Sequence, residues 1–317
     1  MIITSTIDRF LHLPVVDFSV DKPHRGNRGD RIELPEPGTV AWRLAVAYGT
    51  EGGFDVLWSA FLEAVDPATV RGLLLGPWWT QDYTPVSEAL SRIVADADRF
   101  TALEGLVIGD VSYEDCEISW LEMSDVTPAL TAFPGLTDLV VRGGNGLRLE
   151  PFRHERLTHL RIETGGLPAE VVRGVAASEL PALESLELWF GVDEYGGDAT
   201  IDDVAPLLTG TRLPALRHLG LQNSEFQDEI AAAVAHAPVV AQLGTLSLSM
   251  GVLSDEGAAA LLDGQPLTHL KSLDLHHHYL SEAMQEQVRE ALPGVDVDLS
   301  DAEEEDEDEW RYVEVSE

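Results

Sequence analysis

Aliphatic residues recur along most of this chain at a fixed spacing. In the stretch 243–280, Leu243 is followed by leucines three, five and ten positions later, and the same four positions hold leucine again from Leu270 onward. The alternation of apolar and polar residues over the first positions predicts a strand with one buried face. Ser254 and Ser281 follow the two units, and each is predicted to start a helix.

Units of this kind continue upstream with helical patterns between them. Eight units begin 21 to 33 residues apart, at positions 70, 103, 136, 157, 183, 216, 243 and 270. An earlier strand is predicted at 41–47, with Ala41, Leu44 and Val46 facing inward. The unit at 136 is only 21 residues long, so its crossover is expected to be extended rather than helical. Strands joined through crossovers of this kind must be parallel.

This repeat of one strand and one helix resembles the leucine-rich repeat in its ribonuclease-inhibitor-like form. The resemblance implies an α/β solenoid of about nine units over residues 39–300, with a parallel β-sheet on the concave face and helices on the convex face. With its acidic tail and RYVEVSE end, the chain looks like a member of an uncharacterised bacterial leucine-rich-repeat family of similar length. The chain departs from the family at one position: leucine-rich repeats usually carry Asn or Cys near offset 8 of the unit, and here only Asn223, one residue early, is similar. We therefore expect irregular turn geometry.

Two flanking regions do not carry the repeat. Residues 1–38 are predicted to cap the first unit as a strand or hairpin followed by a loop at 21–31, because an uncapped solenoid exposes its apolar end. Residues 301–309 are almost purely acidic and are expected to be disordered by self-repulsion. The terminal WRYVEVSE segment, residues 310–317, either docks on the body or acts as a linear motif on an acidic tether.

Charge, cysteine content and hydropathy narrow the possible partners and the cellular compartment. The 317 residues include 56 Asp and Glu against 20 Lys and Arg, for a formal net charge of −36. This charge argues against nucleic acid and anionic membranes as partners and permits a basic protein. One cysteine, Cys116, excludes an internal disulfide framework and fits a reducing compartment. Without a secretory signal or a membrane-length apolar run, we expect a cytoplasmic monomer.

The repeat register identifies the side chains on the sheet face opposite the helices. Positions 2, 4 and 6 of each unit point outward, because side chains alternate along a strand. Early strands carry small and apolar residues there, and the middle strands carry charged and aromatic residues: Arg142, His159, Arg161, Glu163, Glu187 and Trp189. Arg and Trp are frequent anchors of protein interfaces, so this group is a candidate protein-binding patch. The alternative is an ordinary polar sheet face with weak ion pairs.

Three long loops after strands add aromatic residues among acidic ones. The loops at 77–83, 110–125 and 190–198 contribute the candidate binding residues Trp78, Trp79, Tyr113, Trp120 and Tyr195. Loops on a rigid scaffold often carry binding sites, and this composition suits a basic or amphipathic partner. For Trp78 and Trp79, inward packing beside Gly72 and Gly76 is an equally open alternative.

No motif indicates catalysis, a cofactor or a metal site. His276 and His278 fall on one side of a strand with Asp274, but no fourth ligand is evident, so surface or turn histidines are favoured. The carboxylates around Cys116 disfavour a thiolate. The sequence therefore predicts a non-catalytic protein-interaction scaffold. The alternative is an inhibitor or immunity-type protein that neutralises a basic enzyme, and an enzyme ranks third.

Overall fold

Twelve strands form one sheet in chain order in the computed structural model, which describes residues 6–19, 34–305 and 310–317. β1 pairs antiparallel with β2, and the later neighbours pair in parallel. The strands are Arg9–Phe10 (β1), Leu13–Phe18 (β2), Ala41–Leu44 (β3), Gly72–Leu75 (β4), Gly105–Ile108 (β5), Asp138–Arg142 (β6), His159–Glu163 (β7), Ser185–Gly191 (β8), His218–Ser224 (β9), Thr245–Ser247 (β10), Ser272–Asp274 (β11) and Asp296–Asp298 (β12).

Helices connect most consecutive strands from β3 onward. In the described ranges they are Gly53–Ala64 (α1), Ser87–Ala95 (α2), Thr127–Ala132 (α3), Ala169–Ala177 (α4), Ile201–Leu208 (α5), Gln227–Val234 (α6), Asp255–Leu262 (α7) and Glu282–Ala291 (α8). The crossover between β6 and β7 is extended, so the predicted order of strands and helices is confirmed. None of these helices combines the length and apolar character needed to span a bilayer.

Serine caps start the last two helices and also link neighbouring units. The Ser254 hydroxyl accepts from the Glu256 amide at 3.2 Å, so the predicted start of α7 is confirmed. Ser281 caps α8 in the same way, and its hydroxyl donates to Asp255 in the first turn of α7 at 2.7 Å. Each unit therefore fixes the helix start of the next.

One continuous core lies between the sheet and the helices. Strand leucines such as Leu73, Leu160 and Leu246 pack in one cluster with apolar helix residues such as Val172 and Ile230. Full burial of one such side chain contributes about 1.5–3 kcal/mol. Successive strand–helix units that share a core in this way make a repeat solenoid in the general sense.

The register of the first repeat strand differs from the prediction by two residues. Ala41 pairs with Gly72, so Trp42 and Leu44 hold the inward positions that were assigned to Leu44 and Val46. The Trp42 indole is fully buried. A spacing rule based on aliphatic residues overlooks this tryptophan. From β4 onward the strand pairs have the predicted register, so the outward positions of those units are confirmed.

The β1–β2 hairpin covers the outward face of the early strands. Phe10 packs with Ala41, Leu74 and Val107 in a second, smaller apolar cluster. A Cβ atom on Gly105 would lie 2.5 Å from the Phe10 ring, so only glycine fits beneath it without a shift. The small and apolar outward residues of β3–β5 are thus buried by the hairpin. The loop predicted at 21–31 lies outside the described residues.

Both described parts of the acidic tail contact the body. Ala302 forms a parallel bridge with His278, and the Glu303 amide donates to the His278 carbonyl at 2.8 Å. The expectation of disorder is therefore wrong for residues 301–305, while 306–309 lie outside the described residues. Segment 310–317 docks on the body, with the side chains of Val313 and Val315 buried.

Candidate protein-binding surface

The six residues predicted to form a patch lie on adjacent strands, but only some are exposed. They are Arg142 on β6, His159, Arg161 and Glu163 on β7, and Glu187 and Trp189 on β8. Arg142, Glu163 and Trp189 are buried, with exposed fractions of 8%, 2% and 5%. The prediction that the middle strands expose all six together is therefore wrong for these three. His159 is exposed, and Arg161 and Glu187 are half-buried.

Buried charges connect this region to the early strands in one network. The Asp110 carboxylate is fully buried and lies 2.6 Å from Arg43 Nε and 3.2 Å from Arg142 Nη1. It also accepts from the Ile7 amide at 2.9 Å. Arg142 Nε lies 2.5 Å from Glu163 Oε2. Each buried charge thus has an opposite charge beside it, as burial requires.

The network reaches solvent at Arg161. Its Nε lies 2.9 Å from Glu163 Oε1 and 3.0 Å from Glu187 Oε2, and its guanidinium carbon lies 5.7 Å from the centroid of the Trp189 ring. Among the described residues this Nε finds no aligned hydrogen-bond acceptor, so the contacts are ionic. The side chain is 43% exposed. Arg161 therefore presents a guanidinium that is held in place and accessible.

Two histidines beside Arg161 have pKa values shifted in opposite directions. A hydrogen bond to Asp138 raises the pKa of His159, with burial working against it. Burial lowers the pKa of His218, although Glu187, 3.6 Å away, opposes this shift. His218 also lies 2.7 Å from the Thr245 hydroxyl. His159 therefore takes up a proton at higher pH than His218.

A cavity of about 290 Å³ opens on this face between the hairpin and strands β6–β8. Its lining includes Arg9 and Phe10 of the hairpin and Asp138, His159, Arg161 and Glu187 of the strands. Nearby on the paired strands β8 and β9, the Trp189 indole nitrogen and the Gln222 amide oxygen are buried and find no hydrogen-bond partner among the described residues. The face thus has a concave opening and unused hydrogen-bonding capacity.

Of the two predicted loop tryptophans after β4, Trp78 lies in the core and Trp79 lies at the surface. Trp78 is buried, and its indole nitrogen donates to the Thr84 carbonyl at 2.6 Å, so inward packing holds for Trp78. Trp79 is half-buried and meets Tyr83 edge-on, with ring centroids 5.1 Å apart at 87°. Only Trp79 of this pair remains at the surface.

The other predicted loop aromatics differ in their contacts and exposure. The Tyr195 hydroxyl donates to Glu317 Oε1 at 2.5 Å, and this bond raises the pKa of Tyr195 to about 12. In the 110–125 loop, Tyr113 and Trp120 are 40% and 57% exposed. Tyr195 is thus engaged within the chain, whereas Tyr113 and Trp120 are accessible.

An open cleft of about 730 Å³ lies at the carboxyl ends of β3–β5. Its lining combines aromatic and acidic side chains, among them Tyr48, Trp79, Tyr83, Asp17, Glu114 and Asp115. Tyr48 is 84% exposed and Tyr83 is 46% exposed. The sequence analysis located the loops but not this cleft, because three separate strand ends and β2 form it.

One group of possible metal ligands exists among the described residues. Asp274, His276 and Asp298 bring one ligand atom each within 4.8 Å of one another. Both ring nitrogens of His276 are already paired, with Asp274 at 2.7 Å and Glu314 at 3.2 Å. His278, grouped with them by sequence, is buried and its ring lies against backbone groups instead. Nothing in this arrangement identifies a metal.

Several residues that build the site were not predicted from the sequence. They include Arg43, Asp110 and His218, which extend the charge network at both ends. A usable signal was present in the repeat register, where opposite charges occupy matching positions of neighbouring strands. Arg161 and Glu187 form one such pair. Alternating charges at matching positions indicate a cross-strand ion network.

No family model and no curated protein matches this sequence. Ten chains of known structure do match. One is the crystal structure of a Bacteroides fragilis protein determined by the Northeast Structural Genomics Consortium. It is 32% identical in sequence with a TM-score of 0.75, and the match covers 85% of this chain and 76% of the other. With that identity over most of both chains, this protein belongs to the same family as the Bacteroides fragilis protein.

Proposed function

We propose that the chain is a leucine-rich-repeat solenoid of the ribonuclease-inhibitor-like form, curved with its sheet on the concave face, and that it is a non-catalytic scaffold for protein binding. The leucine spacing and the in-register parallel strands support this proposal. A rigid sheet with exposed loops at its strand ends is an arrangement that binding proteins commonly use. No cofactor enters the proposal.

One observation carries the assignment of the binding surface. The hairpin covers the outward face of β3–β5, whereas β7 and β8 present His159, Arg161 and Glu187 beside an open cavity. The buried network behind Arg161 fixes the position of its guanidinium before a partner arrives. A preorganised group loses less conformational entropy on binding. The outward face of β7 and β8 beside this cavity is therefore the surface proposed to bind.

Affinity capture with surface variants tests this assignment. The full-length protein is compared with a His159→Ala/Arg161→Ala variant, whose fold is checked by circular dichroism and thermal unfolding. We expect the variant to lose the partner that the wild type retains, because an interface anchor contributes at least about 2 kcal/mol. Arg173→Ala is the matched control, since Arg173 lies on α4 and its side chain is 58% exposed. Retention of every partner by the double variant would refute this binding surface.

A second candidate function has support at a different place. The cleft at the ends of β3–β5 places Trp79 and Tyr83 at right angles beside Glu114 and Asp115. Orthogonal aromatic rings among carboxylates favour a cationic side chain. Together with the net charge of −36, this cleft supports an inhibitor or immunity-type protein that neutralises a basic enzyme.

Salt dependence and charge reversal separate this second candidate from the first. A complex with a basic protein should weaken steeply as ionic strength rises, because screening removes the attraction. Glu114→Lys in the cleft should weaken it more than Glu170→Lys, since Glu170 lies on α4 away from the cleft. Affinity that is indifferent to salt and to Glu114→Lys would exclude a basic partner at this cleft.

A further inference from the structure

Segment 310–317 runs along the carboxyl ends of β11, β10 and β9 and meets one turn residue from each unit. The contacts are Tyr312 O to His277 Nε2 (2.9 Å), Glu314 N to Met250 O (2.8 Å) and Val315 N to Asn223 Oδ1 (2.9 Å). Backbone atoms of the segment make all three contacts. Grooves that bind extended peptides obtain affinity in this way and use side-chain pockets for selectivity.

The side-chain amide of Asn223 makes two hydrogen bonds with the backbone of Val315, one as acceptor and one as donor. Its Oδ1 accepts from the Val315 amide, and its Nδ2 donates to the Val315 carbonyl at 2.5 Å. Asn223 is fully buried, and its Nδ2 also lies 3.3 Å from the Thr164 carbonyl. A buried amide needs partners on both its oxygen and its nitrogen, and the segment provides them here.

The three turn residues share a disfavoured backbone conformation. Asn223, Met250 and His277 have φ values of 57°, 67° and 51°, in the left-handed region. Gly143 holds the equivalent position after β6. Side chains with a Cβ atom are disfavoured there, and such strain concentrates where a ligand is held. All three strained residues contact the segment.

Side chains of the segment alternate between two environments. Val313 and Val315 are 7% and 3% exposed. Glu314, between them, directs its carboxylate to His276, with Oε2 3.2 Å from Nε2. This pattern defines a ligand class, namely an extended peptide with branched aliphatic residues two positions apart and an acidic residue between them.

We propose that this groove is an exchangeable binding site for peptides of that class and that segment 310–317 is its intramolecular ligand. Backbone recognition by Asn223, Met250 and His277 holds the peptide, and the valine sites and His276 select its sequence. The groove lies at the strand ends rather than on the outward sheet face. The inference is therefore independent of the partner-binding function proposed above.

A peptide with the sequence of residues 310–317, carrying a fluorophore, tests the proposal on the full-length chain. Val313→Asp places a charge in the docked segment without touching the main core, which includes Val315 but not Val313. We expect the peptide to bind this variant at least tenfold more tightly than the wild type, because a tethered segment competes at an effective concentration of about millimolar. Failure of the folded Val313→Asp protein to bind the peptide would overturn the proposal and make the segment a fixed structural strap.

Two controls keep the outcome specific. Adding Asn223→Ala to the Val313→Asp chain should weaken peptide binding about tenfold, because both hydrogen bonds to the backbone of the residue that replaces Val315 are lost. A peptide with Asp in place of Val315 should bind more weakly than the unmodified peptide. Circular dichroism of each variant establishes that the body is folded. Equal binding by the Asn223→Ala chain, or by the altered peptide, would also overturn the proposal.

Discussion

The buried carboxylate of Asp110 joins three parts of the chain. It accepts from the Ile7 amide and lies against the guanidinium groups of Arg43 and Arg142. Asp110→Asn preserves shape but removes the charge between the two arginines. We expect the free energy of unfolding in urea to fall by about 3 kcal/mol, the low end for a broken buried pair, because each arginine keeps a second carboxylate.

An exposed ion pair provides the control for Asp110→Asn. Asp55 and Arg92 pair at 2.7 Å with side chains that are 59% and 57% exposed. Asp55→Asn should change stability little, because surface pairs are well screened. Equal losses in the two variants would contradict the structural role assigned to the buried network.

His276 makes docking of segment 310–317 depend on pH. A hydrogen bond to Asp274 raises the pKa of His276 against the effect of burial, and Asp298 and Asp301 add to the increase. Because the pKa of His276 is higher in the folded state than in the unfolded state, where it is near 6.5, protonation of His276 stabilises the fold. This stabilisation is complete below the unfolded pKa and is lost as pH rises through the folded pKa. We therefore expect the contact with Glu314, and docking with it, to weaken as pH rises through the raised pKa of His276.

Hydrogen exchange at the Val315 amide, corrected for its intrinsic pH dependence, measures this effect. Protection should decline through the raised pKa of His276 in the wild type. The His276→Asn chain should show no such transition, because its side chain does not titrate. Protection that is constant with pH in the wild type would contradict the prediction.

At the residue scale, the sequence predicted which residues lie on the outward face better than it predicted how deeply they are buried. The positions of Arg142 and Glu163 on the outward face were predicted, but not their burial. Their environment includes Ile7, Arg9 and Phe10, which come from a distant part of the chain. Asn223 was recognised as similar to the asparagine of leucine-rich repeats, but its contact with Val315 could be seen only in the fold. The spacing of residues within one repeat unit carries no information about contacts with distant parts of the chain.

At the element scale, the β1–β2 hairpin closes the outward face of the early strands. The Phe10 ring rests over Gly105, where a Cβ atom would lie 2.5 Å away. Gly105→Ala should displace the hairpin and lower the free energy of unfolding by about 1–3 kcal/mol, as overpacking does. Urea denaturation measures the loss, and faster hydrogen exchange in β1 and β2 locates it.

Gly244→Ala is the matched control for this substitution. A Cβ atom on Gly244 would find its nearest neighbour, the Arg217 carbonyl oxygen, at an ordinary 3.8 Å. This change should be neutral or stabilising by up to about 1 kcal/mol, because alanine restricts the unfolded chain. If Gly105→Ala behaved like Gly244→Ala, the hairpin would not be packed as described.

Element order was predictable because the same spacing recurs many times. The strands from β4 onward, the helices between them and the extended crossover after β6 follow from that repetition. The error at β3 arose where a single tryptophan, Trp42, replaces an aliphatic residue. The hairpin's position over β3–β5 was not predictable, since it follows from apolar surface that only the assembled sheet presents.

At the scale of the whole molecule, a net charge of −36 opposes the compact state. Raising ionic strength from about 0.01 M to about 0.1 M shortens the Debye length from roughly 30 Å to about 10 Å. We therefore expect the thermal unfolding midpoint to rise with added sodium chloride. An uncharged solute at matched osmolality is the control. A midpoint that falls with salt would mean that attractive ion pairs outweigh the repulsion.

Partner binding at the outward face of β7 and β8 is the central claim, and site-specific photocrosslinking tests it most directly. A photoreactive residue at Ser185, which is half-buried on β8 and lines the cavity beside Arg161, is compared with one at Glu170 on the exposed side of α4. The proposal predicts one discrete protein adduct from position 185 and none from position 170. Crosslinking to the same partner from position 170 alone would contradict it.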